Sequence, residues 1–462
     1  MKNDLPQVFR RLRAADLLKT AICILGLFSI STVSIADDFE TAKLKNWHQW
    51  RGPNATGSAP FGKPPLKWDD KTNIKWKTAI PGVGSSTPIV WGNRIFLLST
   101  VKTNRVDSKK PKPENQPRRF WGIKFPNRFH KFYVVCVNRQ NGLILWKTKV
   151  RESVPHEGTH PYNDFASGSP VTNGKFLYAS FGSNGVYCLD MQGKVLWKRD
   201  LGKMKTRRSY GEGTSPALYK NRLVVNFDHE GDSFIEVLDA TTGKTVWKKE
   251  RDEPTSWATP LVVEHHGVAQ IITNAKNFTR SYDLNSGKLL WQCPGQTLNS
   301  IPSPIHQNDV VFCMSGYRGN AAFAIPLSKR GKLSATNDPR WTYNKDTPYV
   351  SSPLLYQNTL YFTKALSGIM TAIDSRTGAV QIPRTRLPEL ETVYASPVAA
   401  GDRVYFTSRK GTTLVIAHRG EFKPLAINKI HDPMDASPAI VGNQIFLRGQ
   451  KFLYCIEELT TK

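Results

Sequence analysis

The sequence is short of acids, of cysteine and of long apolar runs, and each shortage removes a class of protein. Aspartate and glutamate number 37 against 64 lysines and arginines, a formal charge of +27, which favours anionic partners. The six cysteines are Cys23, Cys136, Cys188, Cys293, Cys313 and Cys455. Cys23 lies in the N-terminal apolar run, and the other five are an odd, widely spaced set that forms no disulfide framework. No Cys-x-x-Cys-His haem signature and no paired Cys-x-x-Cys zinc pattern occurs. Gly-x-Ser-x-Gly and the phosphate-cradling Gly-Lys-Ser/Thr motif are missing too, so hydrolase and nucleotide-binding readings lose their usual support. Histidines, including His265 and His266, show no paired metal spacing. The one apolar run, residues 21–30, is short for a bilayer span, and no second follows.

What is present points to β-structure. Thirty-three glycines and 30 prolines, with 39% hydrophobic and 11% aromatic residues, describe a folded chain with many turns. Arg10, Arg11, Arg13 and Lys19 precede the apolar run, and Ser34-Ile35-Ala36 follows it. That order predicts a secretory signal over residues 1–36, cleaved after Ala36, and a protein that works in the periplasm or is secreted. No transmembrane segment is expected after cleavage. Cys136, Cys188 and Cys455 each follow an aliphatic or aromatic residue on an apparent strand and read as core positions.

A Ser/Thr-Pro pair opens an apolar run at Thr87, Ser169, Ser215, Thr259, Ser303, Ser352, Ser396 and Ser437. After a first interval of 82 residues, successive prolines lie 46, 44, 44, 49, 44 and 41 residues apart. This period is that of a four-stranded propeller blade, and proline is tolerated at the start of a strand. The third strand ends in Asp or Asn, a Gly-containing turn follows, and a last strand closes on Trp. Asp239–Trp247 and Asp283–Trp291 are examples, Asn138–Trp146 and Asp190–Trp197 repeat the pattern, and Asp374–Gly378 lacks the Trp. The acid or amide caps the turn, glycine supplies a positive φ, and the indole fills space between blades.

The expectation is all-β: an eight-bladed β-propeller with four-stranded antiparallel blades over residues 73–457, the N-terminal strand around Trp76 closing the last blade. Residues 37–72 form an N-terminal arm and 458–462 a tail. Residues 101–131 are an insert in the first blade with ten lysines or arginines against Asp107 and Glu114. Such a loop is either solvated or a binding element.

The blade pattern of Ser-Pro followed by Asp-x-x-Thr-Gly-x-x-x-Trp, as at Asp239–Trp247, resembles the repeat of pyrroloquinoline-quinone (PQQ)-like propellers. That family includes quinoprotein alcohol dehydrogenases and outer-membrane assembly propellers of the BamB type. Trp47–Pro53 and Arg251–Pro260 are similar to stretches of secreted bacterial members. The adjacent Cys-Cys pair usual in the dehydrogenases is absent, as is a cytochrome motif.

In a propeller the segments preceding the innermost strands surround one channel mouth. They carry Tyr162, Asp164, Tyr210, Glu212, Trp257, Asn299, Tyr349, Tyr394 and Asp435. Tyr210, Glu212, Trp257, Asn299, Tyr349, Tyr394 and Asp435 are the candidate cofactor-binding residues. Trp257 could stack on a quinone, and Glu212, Asn299 and Asp435 could hold Ca2+; alternatively all are wall residues. The acidic run Asp228–Asp232 reads as a solvated turn.

Three functions follow. The first is a non-enzymatic binding or assembly scaffold of the bacterial envelope, monomeric, without a cofactor, and partnered by envelope proteins. The second is a quinoprotein oxidoreductase with PQQ and Ca2+ acting on an alcohol or sugar. The third is a polyanion- or polysaccharide-binding module that holds an anionic polysaccharide or a membrane surface, especially through residues 101–131 and 203–208. Export makes nucleic acid a poor partner.

Overall fold

In a computed structural model the described residues are 34–459. Residues 1–33 of the expected signal segment lie outside them. A helix, Ser34–Leu44, runs through the expected cleavage point. The chain divides into one unit up to Ala42 and a second, Lys43–Lys462, which holds all the strands.

This unit is a ring of eight four-stranded antiparallel sheets, the fourth of which gains a short fifth strand, Gly331–Lys332, paired in parallel. Blade 1 contains Ile89–Trp91, Arg94–Val106, Arg128–Asn138 and Ile144–Ser153. Blades 2 to 7 occupy residues 171–199, 217–250, 261–293, 305–343, 354–386 and 398–429. Blade 8 takes Ala439–Val441, Gln444–Arg448 and Phe452–Ile456 from the C-terminal end and its outer strand, Ile74–Ala79, from the N-terminal end. Closure thus removes the free edge that a three-stranded last blade would expose.

Side chains alternate across each strand and feed two interblade cores. In blade 6, Leu360 and Phe362 pack with Ile305, Phe312 and Trp341 of blade 5, while Tyr361 packs with Phe406 and Leu414 of blade 7. A one-residue slip would exchange these faces, so burial on both sides fixes the register. All five described cysteines are free and buried.

The Ser/Thr-Pro motif has a second task that its spacing does not announce. The Thr87 N–H donates to Ser169 Oγ, Ser169 to Ser215, Ser215 to Thr259, Thr259 to Ser303, Ser303 to Ser352, Ser352 to Ser396 and Ser396 to Ser437, at 2.8–3.1 Å. Each hydroxyl therefore satisfies the backbone of the preceding blade, a contribution of about 1 kcal/mol per link. The belt stops at the seam between blades 8 and 1, where Thr87 Oγ1 has no partner among the described residues. There the buried guanidinium of Arg448 reaches across to the Leu98 carbonyl at 2.8 Å and Ser86 Oγ at 3.3 Å.

The outer ring is held by indoles. Trp76, Trp146, Trp197, Trp247 and Trp341 each donate Nε1–H to a carbonyl in the turn of the next blade, those of Arg139, Met191, Ala240, Leu284 and Ser375. Each ring lies on that turn's glycine so closely that a Cβ there would fall 2.7–2.9 Å from it.

Residues 46–59 close the channel end opposite the mouth. Trp47 exchanges backbone hydrogen bonds with Val90, the Thr172 N–H donates to the His48 carbonyl, and Leu355 and Ala399 donate to Thr56 and Gly57. Buried Arg51 donates to the carbonyls of Pro353 and Pro397 at 2.8 and 3.0 Å. The Trp47–Pro53 motif is therefore a plug spanning blades 1, 2, 6 and 7.

Candidate functional site at the channel mouth

By topology, the segments before each inner strand and the loops between second and third strands open on the same face. They enclose a cavity of about 590 Å³ with Trp50 of the plug among its lining residues, within the ~300–1,000 Å³ range of ligand sites. Tyr162, Tyr210, Trp257, Tyr349, Tyr394 and Asp435 line it. Trp257 is oriented by its Nε1–H on the Gly211 carbonyl at 2.7 Å.

The other two candidates face elsewhere. Glu212 lies on the far side of the wall that Gly213 presents to the cavity: its Oε2 accepts the Ser183 N–H at 2.7 Å, and it lines a separate small cavity. Gly182 makes room for this carboxyl, which a Cβ would meet at 1.5 Å. Asn299 is buried behind Tyr349, whose hydroxyl accepts its Nδ2–H at 3.3 Å. The chain's alternation explains both: neighbours on an extended segment cannot all face the channel.

Further residues complete the mouth. The 101–131 insert is no free loop. Its ends prolong two strands of blade 1, and its tip carries Phe120 and Trp121 to the cavity. Phe120 meets Tyr210, and Trp121 meets His160 edge-on at 5.6 Å. His160 in turn contacts Tyr162 and Tyr210. Tyr317 stacks on Tyr349 at 4.7 Å. Trp121, Arg208 and Ser209 hold left-handed backbone, with φ of 56°, 53° and 57°, strain of the kind that gathers at binding sites. Phe120, Trp121 and Tyr317 come from loops between second and third strands, which share this face, whereas His160, Arg208 and Ser209 precede inner strands as the expected mouth residues do.

The electrostatics are uneven. Arg409 grips Asp435 with two hydrogen bonds and lies over the Tyr162 ring at 3.8 Å. Burial raises the Asp435 carboxyl above its usual range, and Arg409 opposes that shift. Arg208 sits over Phe120 at 4.0 Å and Arg318 over Tyr317 at 5.5 Å. Neither has an ion-pair carboxylate among the described residues.

A Ca2+-held quinone asks for several oxygen ligands together. The cavity offers one carboxylate, Asp435, already committed to Arg409, while Glu212 and Asn299 point away. Among the described residues no three His, Cys, Asp or Glu gather as a metal site. The donor set does not fit such a group.

The acidic run Asp228–Asp232, expected as a solvated turn, is partly a structural anchor. Asp228 and Arg251 form a fully buried pair at 2.7 Å, joined by Asn226 and Ser256. Glu230 accepts the Thr255 N–H and hydroxyl. Together they set the backbone that leads to Trp257.

Glu212 gives a pH signature. Burial pushes it up to about 7, although the Ser183 N–H favours the carboxylate. The folded protein then retains a proton that the unfolded chain releases, so this group's contribution to stability falls as pH rises from about 4.5 to about 7, by roughly 2–3 kcal/mol. Glu212→Gln keeps an acceptor for Ser183 and removes the titration. Urea midpoints at pH 5 and pH 8 should show the variant gaining on the wild type as pH rises; a constant difference would refute the assignment.

Fold and mouth together define a PQQ-like repeat propeller. The chain belongs to the family described as outer membrane protein assembly factor BamB, whose model matches residues 130–381 and 281–460. It is also 28% identical over 138 residues to quinohemoprotein alcohol dehydrogenase ADH IIB of Pseudomonas putida, covering 27% of this chain and 19% of that protein. The chain thus spans about a fifth of the curated relative it matches. Among solved structures, quinohemoprotein alcohol dehydrogenase from Comamonas testosteroni aligns over 92% of this chain and 83% of its own, with a TM-score of 0.62 and 10% identity. BamB from Moraxella catarrhalis aligns over 78% of this chain and 99% of its own, with a TM-score of 0.50 and 13% identity. At those identities the likeness concerns fold alone. No helix among the described residues is long and apolar enough to cross a membrane.

Proposed function

We propose that the protein is a non-enzymatic binding propeller of the bacterial envelope whose channel mouth takes an anionic polysaccharide. One observation carries the reading: two basic segments distant in sequence, 101–131 and 203–208, meet beside the aromatic cavity, which the insert tip lines with Phe120 and Trp121. Arg208 lies over Phe120 of the insert tip, and Lys110 is near enough to Lys203 for their charges to interact. Aromatic faces suit the apolar faces of sugar rings. Arg208 and Arg318, which have no ion-pair carboxylate among the described residues, suit acidic substituents. Asp435, the one carboxylate among the residues lining the cavity, is held by Arg409 in two hydrogen bonds, which leaves the basic groups around the mouth to set its charge.

Retention on immobilised polygalacturonate tests this reading. The wild type should elute late and earlier as salt rises, because exposed charges are screened within about 10 Å at 0.1 M. Arg208→Ser with Arg318→Ser should elute well before it at the same salt. Equal elution of variant and wild type would sink the proposal.

A further inference from the structure

The indole clasps between blades are incomplete at one place. The outer-strand position that carries Trp in most blades lies opposite Cys136, Cys188, Val237, Ser281 and Ala324 of the third strands. In blade 6 that position, opposite Ala372, is Ile382, and in blade 7, opposite Val415, it is Ala426. Two interfaces therefore lack their own indole.

The protein repairs one of them with a segment from outside the blades. Trp68 of the N-terminal arm is buried with Ala426 and Tyr405 between blades 7 and 8, stacked on Tyr405 at 6.4 Å. Its backbone is pinned by Asn428 Oδ1 at 2.9 Å. The 6/7 interface receives no such segment among the described residues. The corresponding turn glycine of blade 7, Gly420, has a φ of 71° and nothing within 4 Å of a Cβ placed on it. In five other turns that face lies under an indole. Beside it a groove of about 990 Å³ runs between the blades, lined by Ile382, Pro383, Arg376, Arg419 and Phe422.

We propose that this groove is a docking slot for an extended peptide of a partner protein that inserts an aromatic side chain, foremost tryptophan, onto Gly420. The chemistry of the occupant is read from the molecule itself. Trp68 shows that a chain segment foreign to the blades can seat an indole where the blade's own is missing. Blade 4 shows that an outer strand can accept a further strand, since Gly331–Lys332 pairs in parallel with Leu289–Cys293. A peptide can therefore add to the exposed edge of Val380–Arg386 by backbone pairing, with the aromatic giving specificity. Arg376 is paired with Asp374 and Arg384 with Asp346, while Arg386 and Arg419 have no ion-pair carboxylate among the described residues and face only Glu421 along this groove and edge, so acidic residues flanking the aromatic are favoured.

The probe is an acetylated octapeptide with one central tryptophan flanked by aspartates, titrated by fluorescence anisotropy against the full chain beside a twin with alanine for tryptophan. The tryptophan peptide should bind at least about tenfold more tightly than its twin, as for a buried aromatic anchor. Ile382→Trp should supply the missing clasp from within, abolish binding and raise the melting temperature. Gly420→Asn, which tolerates the left-handed backbone, should fill the seat and abolish binding without that rise. Trp257→Ala should bind as the wild type does. Equal binding of the two peptides, or binding unchanged by both slot variants, would overturn the proposal. Binding lost with Trp257→Ala but kept with Gly420→Asn would assign the peptide to the channel mouth and overturn it as well.

Discussion

Replacing Trp76 by alanine should lower the stability of the propeller by about 3–5 kcal/mol, the range for truncating a buried tryptophan, and by more than the same change at Trp247. Trp76 sits on the strand that the N-terminal region lends to blade 8. Its indole crosses to blade 1, donating to the Arg139 carbonyl at 2.9 Å and lying on Gly142, while Phe446 supports it from within blade 8. Truncation leaves a cavity and a carbonyl without its donor. Trp247 makes the equivalent contacts with Leu284 and Gly287. At that interface the hydroxyl belt is intact, through Ser215 and Thr259, whereas at the seam it is open. At the seam the side chains of Arg448 and Arg139, in place of the belt, back up the indole, so its loss should cost more there than where the belt persists. Urea unfolding followed by tryptophan fluorescence and by circular dichroism measures both variants. A larger loss for Trp247→Ala would contradict this view of closure.

Trp257→Ala should weaken binding of an acidic oligosaccharide by roughly a hundredfold while leaving the fold intact. The indole lies on the cavity wall, half-buried, with its nitrogen fixed to Gly211, so its ring is preorganised and binding costs little side-chain entropy. A stacked aromatic of this kind is worth about 1–3 kcal/mol in direct contact and area. Stability should change little by comparison, because the surrounding backbone is held by Asp228, Arg251 and Thr255 rather than by the indole. Calorimetry of both proteins with a defined oligogalacturonate, beside their melting temperatures, separates the two effects. Equal affinity would remove Trp257 from the site.

The blades were legible because their determinants are local. Ser/Thr-Pro starts, Asp-x-x-Thr-Gly turns and closing tryptophans each sit within a few residues of the strands they define, and the two chain ends declared the shared last blade through Trp76. The belt was not legible, since its donors and acceptors lie a full blade apart and each hydroxyl alone looks like an ordinary strand start. The mouth was half legible. Tyr210, Trp257, Tyr349, Tyr394 and Asp435 precede inner strands and face the cavity, while Glu212 and Asn299 follow the alternation of the chain to the other side. Phe120, Trp121 and Arg318 arrive on loops whose length and fold no local pattern encodes. The Trp47–Pro53 motif showed its purpose only once Arg51 was seen capping the carbonyls of Pro353 and Pro397, some 300 residues away.

If the basic segments beside the aromatic mouth hold an acidic sugar, calorimetric titration of the wild-type chain with oligogalacturonate at low and at moderate salt should show it most directly. One site per chain, an affinity that falls as salt rises, and no chemical change in the sugar after prolonged incubation are expected. A flat titration at low salt, or turnover of the oligosaccharide, would contradict this reading.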